Sequence, residues 1–265
     1  MSYKKVLKKY TKLHYKPFID DYKLSRDKEY FRHAGVHIYF GKQGSGKTIS
    51  AIKHLHDIKK HYPKCIVVSN VKLEYFKPIM FQDEQQLHRQ IYNLNPKTEY
   101  ILFTDREQLA IAMVLVQNGK FGVIYFIDEI HLYHNALESA SIPMYVFTEI
   151  SQHRKQRKLT IATSQRFTRI AKPFREQASS AIKCSTLFGK FTFQKLYDPE
   201  ELEVKADGTM IGTIKKRGFF MHDRKTRNSF DTYQKVVTAA EQYEQLNSPT
   251  VSITQTKKGK SIKVS

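Results

Sequence analysis

The chain has 265 residues, 40% of them hydrophobic, with 17 Phe and 16 Tyr, enough to bury a core and to exclude disorder throughout. Lys and Arg number 45 against 25 Asp and Glu, a formal net charge of +20 that favours polyanionic partners, nucleic acid first among them. No run approaches the roughly 18 apolar residues of a membrane-spanning helix. The two cysteines, Cys65 and Cys184, fit free thiols in a reducing compartment, so a soluble cytoplasmic protein is expected.

In chain order, residues 1–35 form a basic arm or lead-in helix, with Lys4, Lys5, Lys8, Lys9, Lys12 and Lys16 close together. A core over 36–188 follows. "VHIYF" (Val36–Phe40) predicts a short buried strand, Thr48–His61 a helix, and "CIVVSNV" (Cys65–Val71) a second strand rich in β-branched residues. Strand, helix and strand make a βαβ unit, which implies a parallel sheet and a right-handed crossover. Residues 72–98 read as a loose connection. Thr104 and Glu107 in "TDRE" predict a capping box opening a helix through "QLAIAMVLVQ", which "NGKFG" stops. "VIYFIDE" (Val123–Glu129) is a third strand ending on two carboxylates. A helix is expected near Pro143–Arg154, with Pro143 in its first turn, and "LTIATSQR" (Leu159–Arg166) is a fourth strand.

Beyond Cys184, "GKFTFQKLY" and "GTMIGTIKKRGFFMH" alternate around a turn at Asp207–Gly208, which predicts a β-hairpin. "DTYQKVVTAAEQYEQL" predicts a closing helix, completing an appendage over 189–246. The tail, 247–265, holds four lysines and no acid and reads as flexible. The expected fold is therefore α/β: a P-loop NTPase (RecA-like/ASCE) parallel sheet flanked by helices, with a small C-terminal β-hairpin and helix appendage.

The core of the functional reading is Gly41-Lys42-Gln43-Gly44-Ser45-Gly46-Lys47-Thr48, which fits G-x-x-x-x-G-K-[ST] between a strand and a helix. Glycines there let backbone amides face a phosphate, and the helix beginning at Lys47 adds its positive N-terminal end. Lys47 suits the β/γ-phosphates of ATP and the Thr48 hydroxyl suits Mg²⁺. Asp128, at the end of an apolar strand, is placed as the second Mg²⁺ carboxylate, and Glu129 beside it as the group that polarises water for in-line attack. The alternative is that Asp128 only caps the turn at His131 and Glu129 is solvated.

"GKQGSGKT", "VIYFIDE" and "LTIATSQR", in that order and spacing, resemble the FtsK–HerA division of P-loop ATPases, which are DNA pumps and include viral packaging motors. "FTEISQHRKQRKLTIATSQRFTRIAKPFRE" (Phe147–Glu176) is similar to the zonula occludens toxin-like ATPases of phages. The resemblance covers about residues 36–185. It implies that Gln165 is a polar sensor of the γ-phosphate or the attacking water. It also implies an arginine finger reaching a neighbouring subunit's site, with Arg154 favoured, then Arg157 and Arg175; Arg166 and Arg169 are further candidates. A DNA-translocating homo-oligomer follows, a hexameric or pentameric ring that docks on a capsid vertex or a membrane assembly protein. The toxin-like phage ATPases usually carry a transmembrane segment after the ATPase domain. This sequence shows none, which shifts the expectation from phage extrusion towards a soluble packaging motor.

Three basic stretches suit DNA phosphates: the N-terminus, residues 154–175, and "KKRGFFMHDRKTR" (Lys215–Arg227), where Phe219 and Phe220 either stack bases or form the half-buried face of a hairpin. Strandedness stays open. His131, His134 and His153 lack the spacing of a metal site and read as structural or nucleotide-proximal. A nucleotide or metabolite kinase and a non-catalytic DNA-binding P-loop protein are the competing functions; Glu129 beside Asp128 argues against the first, because a kinase must not activate water.

Overall fold

The computed structural model describes Tyr22 and residues 26–204 and 210–227. Most of the basic arm, the Asp207–Gly208 turn, the closing helix and the lysine tail lie outside the described residues.

Strand β1 (Gly35–Phe40) runs into helix α1 (Lys47–His61) and then β2 (Ile66–Ser69), the expected βαβ unit. The stretch expected to be loose instead holds β3 (Lys77–Met80) and α2 (Glu84–Asn93). Neither carries a clean hydrophobic period, because β3 is almost wholly exposed and α2 buries only Leu87. A further strand, β4 (Glu99–Leu102), lies where the sequence predicts none.

Helix α3 (Arg106–Leu115) opens one residue later than expected. Its cap is Asp105, whose carboxylate accepts the Gln108 N–H at 2.8 Å, while Gln108 Oε1 accepts from the Thr104 N–H at 2.9 Å. The capping pair is thus Asp105 and Gln108, not Thr104 and Glu107. β5 (Val123–Ile127) stops just short of the two carboxylates. The expected helix near Pro143 is split into α4 (Met144–Ser151), for which Pro143 is the N-cap, and α5 (His153–Gln156). β6 (Lys158–Ser164), α6 (Lys172–Glu176) and β7 (Ala178–Leu187) follow. β8 (Phe191–Tyr197), the two-residue strands β9 (Glu203–Val204) and β10 (Met210–Ile211), β11 (Ile214–Met221) and α7 (Arg224–Arg227) complete the described chain.

Nine strands form one sheet in the order β11-β8-β7-β1-β6-β5-β2-β4-β3, and β9 and β10 pair separately. From β7 to β3 the pairings are parallel, as expected, while β8 and β11 are antiparallel. The hairpin expected after Cys184 therefore continues the main sheet. β7 lies beside β1, and the turn into β8 is made by Phe188 and Gly189, both with positive φ.

Alternation along the central strands supplies two cores, one per face. Val36, Ile38, Phe40, Tyr125 and Ile127 pack with α3 on one side, and Tyr39, Ile124, Phe126 and Ile161 pack with Ile52, Leu55 and Ile58 of α1 on the other. Each such side chain contributes about 1.5–3 kcal/mol on burial, so the layers fix the central strands firmly. Lys158 begins β6 fully buried, its Nζ donating to Met113 O at 2.6 Å and lying 3.3 Å from Glu149.

Register decides where the chemistry sits. β6 separates β1 from β5, with Phe40 opposite Ser164 and Ile127 opposite Ala162. The carboxyl ends of the three strands converge, the place where open α/β sheets bind ligands. Among the described residues no helix is long and apolar enough to cross a membrane.

Candidate nucleotide site

The loop between β1 and α1 is shaped by its glycines. Gly41, Gly44 and Gly46 take φ of 155°, 73° and 80°, the last as the left-handed N-cap of α1 with no side-chain cap. The first N–H groups of a 15-residue helix are thereby left for an external acceptor. Gly46 is also sterically obligatory: a Cβ there would lie 2.4 Å from Thr192 Oγ1 and 2.5 Å from Thr186 Oγ1. Lys42 and Gln43 are exposed on the loop, and Ser45 carries a buried hydroxyl oxygen with no hydrogen-bond partner among the described residues. A phosphate oxygen would satisfy it.

Opposite the loop, the end of β5 is fastened to its neighbours. Asn70, just past β2, donates from Nδ2 to Asp128 O at 2.9 Å and accepts the Asp128 N–H at 2.8 Å. Thr163 of β6 donates to Asp128 Oδ1 at 2.6 Å, and the same hydroxyl oxygen accepts the Glu129 N–H at 2.9 Å. Thr48 donates to Asp128 Oδ1 at 3.0 Å. Burial pushes the Asp128 carboxyl above its ordinary range, against the pull of these two hydroxyls and of Lys47.

Glu129 adopts φ 50°, ψ 53°, a left-handed conformation that costs a non-glycine residue about 1–3 kcal/mol. The strain turns its carboxylate back to the loop, where Oε1 lies 3.5 Å from Lys47 Nζ. His131 Nδ1 lies 3.3 Å from the other oxygen, and burial holds this imidazole below its ordinary range. The reading of Asp128 and Glu129 as a cap and a solvated acid does not hold, since both face the loop.

Thr48 and Asp128 bring two hard oxygen donors together, which fits Mg²⁺. A cation there would favour the ionised form of a carboxyl that burial alone disfavours. Among the described residues no three His, Cys, Asp or Glu side chains converge as a metal site.

The remaining candidates are spread out. Gln165 directly follows β6, and its Oε1 accepts from Arg169 at 3.4 Å. Arg154 is exposed on α5, and Arg157 immediately precedes β6, roughly 20 Å of chain from Ser164. Arg157 donates to the Tyr30 hydroxyl at 2.8 Å and lies over that ring at 4.5 Å. Arg175 donates from Nε to Ile170 O at 3.0 Å. The fold does not bring Arg154 or Arg157 to the loop of its own chain. His134 stacks on Phe174 and His153 on Tyr125, both in the interior.

Asn70 and Thr163 went unnoticed in the sequence because a polar residue at a strand end is ordinary there; only the register shows what it touches. Thr163→Val keeps the shape but removes one hydroxyl that serves both carboxylate residues. It is expected to lower turnover about tenfold or more through loss of a charge-assisted hydrogen bond worth about 1.5–3 kcal/mol, with KM for nucleotide within about threefold. Steady-state phosphate release checks this.

The family described as zonular occludens toxin (Zot) matches residues 35–226. Among solved structures, the N-terminal domain of zonular occludens toxin from Neisseria meningitidis is similar at 13% identity and TM-score 0.49, covering 75% of this chain and 99% of that one. The genome-packaging NTPase B204 of Sulfolobus turreted icosahedral virus 2, in complex with ATP-gammaS, is similar at 14% identity and TM-score 0.45, over 67% and 95% of the two chains. The flagellar accessory protein FlaH from Methanocaldococcus jannaschii is similar at 11% and 0.42, over 76% and 90%. No curated protein matches the sequence. With the P-loop architecture in place and most of the chain matched, the protein belongs to the zonular occludens toxin (Zot) family.

Proposed function

We propose that the chain hydrolyses ATP to translocate DNA as a homo-oligomeric ring, packaging a viral genome. The observation that carries the reading is Glu129, held by Thr163 and a strained backbone beside Lys47 and next to the Thr48–Asp128 pair. In this scheme the loop amides and Lys47 hold the phosphates, and Glu129, released from Lys47 when nucleotide enters, takes the proton of the attacking water. A bound Mg²⁺ would supply positive charge against that developing on the phosphates. Thr48 and Asp128 would hold it. Gln165 would orient the water once it leaves Arg169, and Arg154 would serve a neighbouring subunit's site; Arg157 is the weaker choice because Tyr30 already engages it.

The net charge of +20 supports a polyanion as the load. The family match favours a second reading, an assembly ATPase that exports phage DNA at a membrane complex. Both require DNA-dependent turnover, which a kinase would not show. Phosphate release should rise several-fold with DNA, and rising salt should erode the effect as counterion release demands. Turnover indifferent to DNA across assembly conditions would defeat the motor in both forms.

A further inference from the structure

The antiparallel end of the sheet displays a surface the nucleotide site does not use. Paired residues of β7, β8 and β11 make three rows on one face. Leu187, Phe191 and Met221 form the first, Ser185, Phe193 and Phe219 the second, and Lys183, Lys195 and Arg217 the third. All nine are exposed and none is acidic. Phe219 is 73% exposed and Phe193 43%, and their ring centroids lie 6.2 Å apart at an interplanar angle of 30°.

An exposed antiparallel face is ordinarily polar, and a contiguous apolar patch of this kind marks an interaction site. We propose that this face is a platform for single-stranded nucleic acid, with bases stacked on Phe193 and Phe219 and phosphates over Lys183, Lys195 and Arg217. It rests on the reading of DNA as the load and names the form that is gripped. Neighbouring rows lie about 7 Å apart, two residues of strand rise, so a base on the aromatic row leaves its phosphate over the cationic one. Every base has a π-face, so such a platform holds any sequence, as a motor's track requires. A duplex keeps its bases paired and cannot use the rings. A lipid surface is less suited, since interfacial aromatics are characteristically Trp and Tyr with a polar tip, and the chain contains no Trp while the two central rings are Phe.

The platform also backs onto the nucleotide loop. Between Phe191 and Phe193, Thr192 points the other way. Its hydroxyl oxygen meets that of Thr186 at 2.8 Å and His222 Nε2 at 2.6 Å, and it closes over Gly46. A strand shifted by a bound base would thus press on the N-cap of α1.

The test is fluorescence anisotropy of the full chain with a labelled mixed-sequence oligonucleotide, as a single strand and as a duplex. Stacking supports roughly 5- to 150-fold in affinity per base. Phe193→Ala with Phe219→Ala should therefore weaken single-strand binding at least about 30-fold, with duplex binding changed less than about threefold. Both side chains are exposed, so the thermal midpoint should hold, which separates lost contact from lost fold. Gln at positions 183, 195 and 217 together should reduce the slope of log K against log salt by about 2, three contacts at about 0.7 each. Unchanged single-strand affinity in the double Ala variant overturns the platform. So does a variant that loses self-association, or binding to vesicles of anionic phospholipid, while DNA binding persists. If the platform holds while wild-type turnover ignores DNA, only the motor reading fails. If DNA stimulates turnover equally in both proteins, only the platform fails.

Discussion

Replacing Glu129 with Gln is expected to lower phosphate release by about 10²–10⁴-fold, the range general-base catalysis supplies. Nucleotide affinity should stay within a few-fold. The change is nearly isosteric, so Thr163 still accepts the backbone N–H and the left-handed turn at 129 keeps its anchor. What is lost is the charge that faces Lys47 at 3.5 Å and that, in the proposed mechanism, would take a proton during attack. Lys47→Ala should act differently: it removes the cation from the phosphates and leaves Glu129 without its partner, so binding itself should fail. Measuring fluorescent-nucleotide binding beside single-turnover hydrolysis separates the two variants. Turnover of Glu129→Gln within about threefold of wild type would remove Glu129 from the chemistry.

Acid should unfold the protein well before it would unfold one without interior histidines. Burial, helped by the charge of Arg106, pushes His134 down to about 4, and burial, helped by Lys158, pushes His153 to about 3. Both rings are 1% exposed and stack in the core. In the unfolded chain the two titrate near 6.5, so below that pH the unfolded state takes up protons the folded state refuses. Stability is fully present above about pH 6.5 and is lost as pH falls towards 4 and 3. At 1.36 kcal/mol per pH unit, His134 would account for about 3 kcal/mol and His153 for about 5, a large part of a typical total of about 5–15 kcal/mol. Urea midpoints should drop steeply from pH 7 to pH 4, and Phe at both positions should lessen that drop without abolishing it, because burial also pushes His37 and His54 down to about 4. A wild-type midpoint level over this interval would show that the rings protonate in place.

The nucleotide loop was legible because its chemistry demands fixed residue types at fixed spacing, and Asp128 and Glu129 because two carboxylates directly follow the wholly apolar run of β5. The segment from 72 to 98 was opaque for the opposite reason: β3 faces water and α2 leans on the core through Leu87 alone, so neither writes a period into the sequence. Asn70 and Thr163 needed the strand order, since they lie 58 and 35 residues from Asp128 and meet it only because β2 and β6 flank β5. Lys158 shows the converse. A lysine reads as surface, yet this one is buried because Met113 O and Glu149 receive it. The alternation of residues 191–221 was visible, but whether its phenylalanines faced inward depended on which side β7 turned towards β1.

The far end of the sheet sets a limit on how copies of this chain can join. β3, the last strand there, is four residues long, begins with Lys77 and carries Pro78, which has no N–H to offer. Such an edge is a poor template for another strand. A growing ribbon of subunits, the route to fibres, is capped at this margin, so a ring would have to close through side-chain surfaces, whose grip can loosen and re-form with each turnover, instead of through a backbone ladder continued past β3.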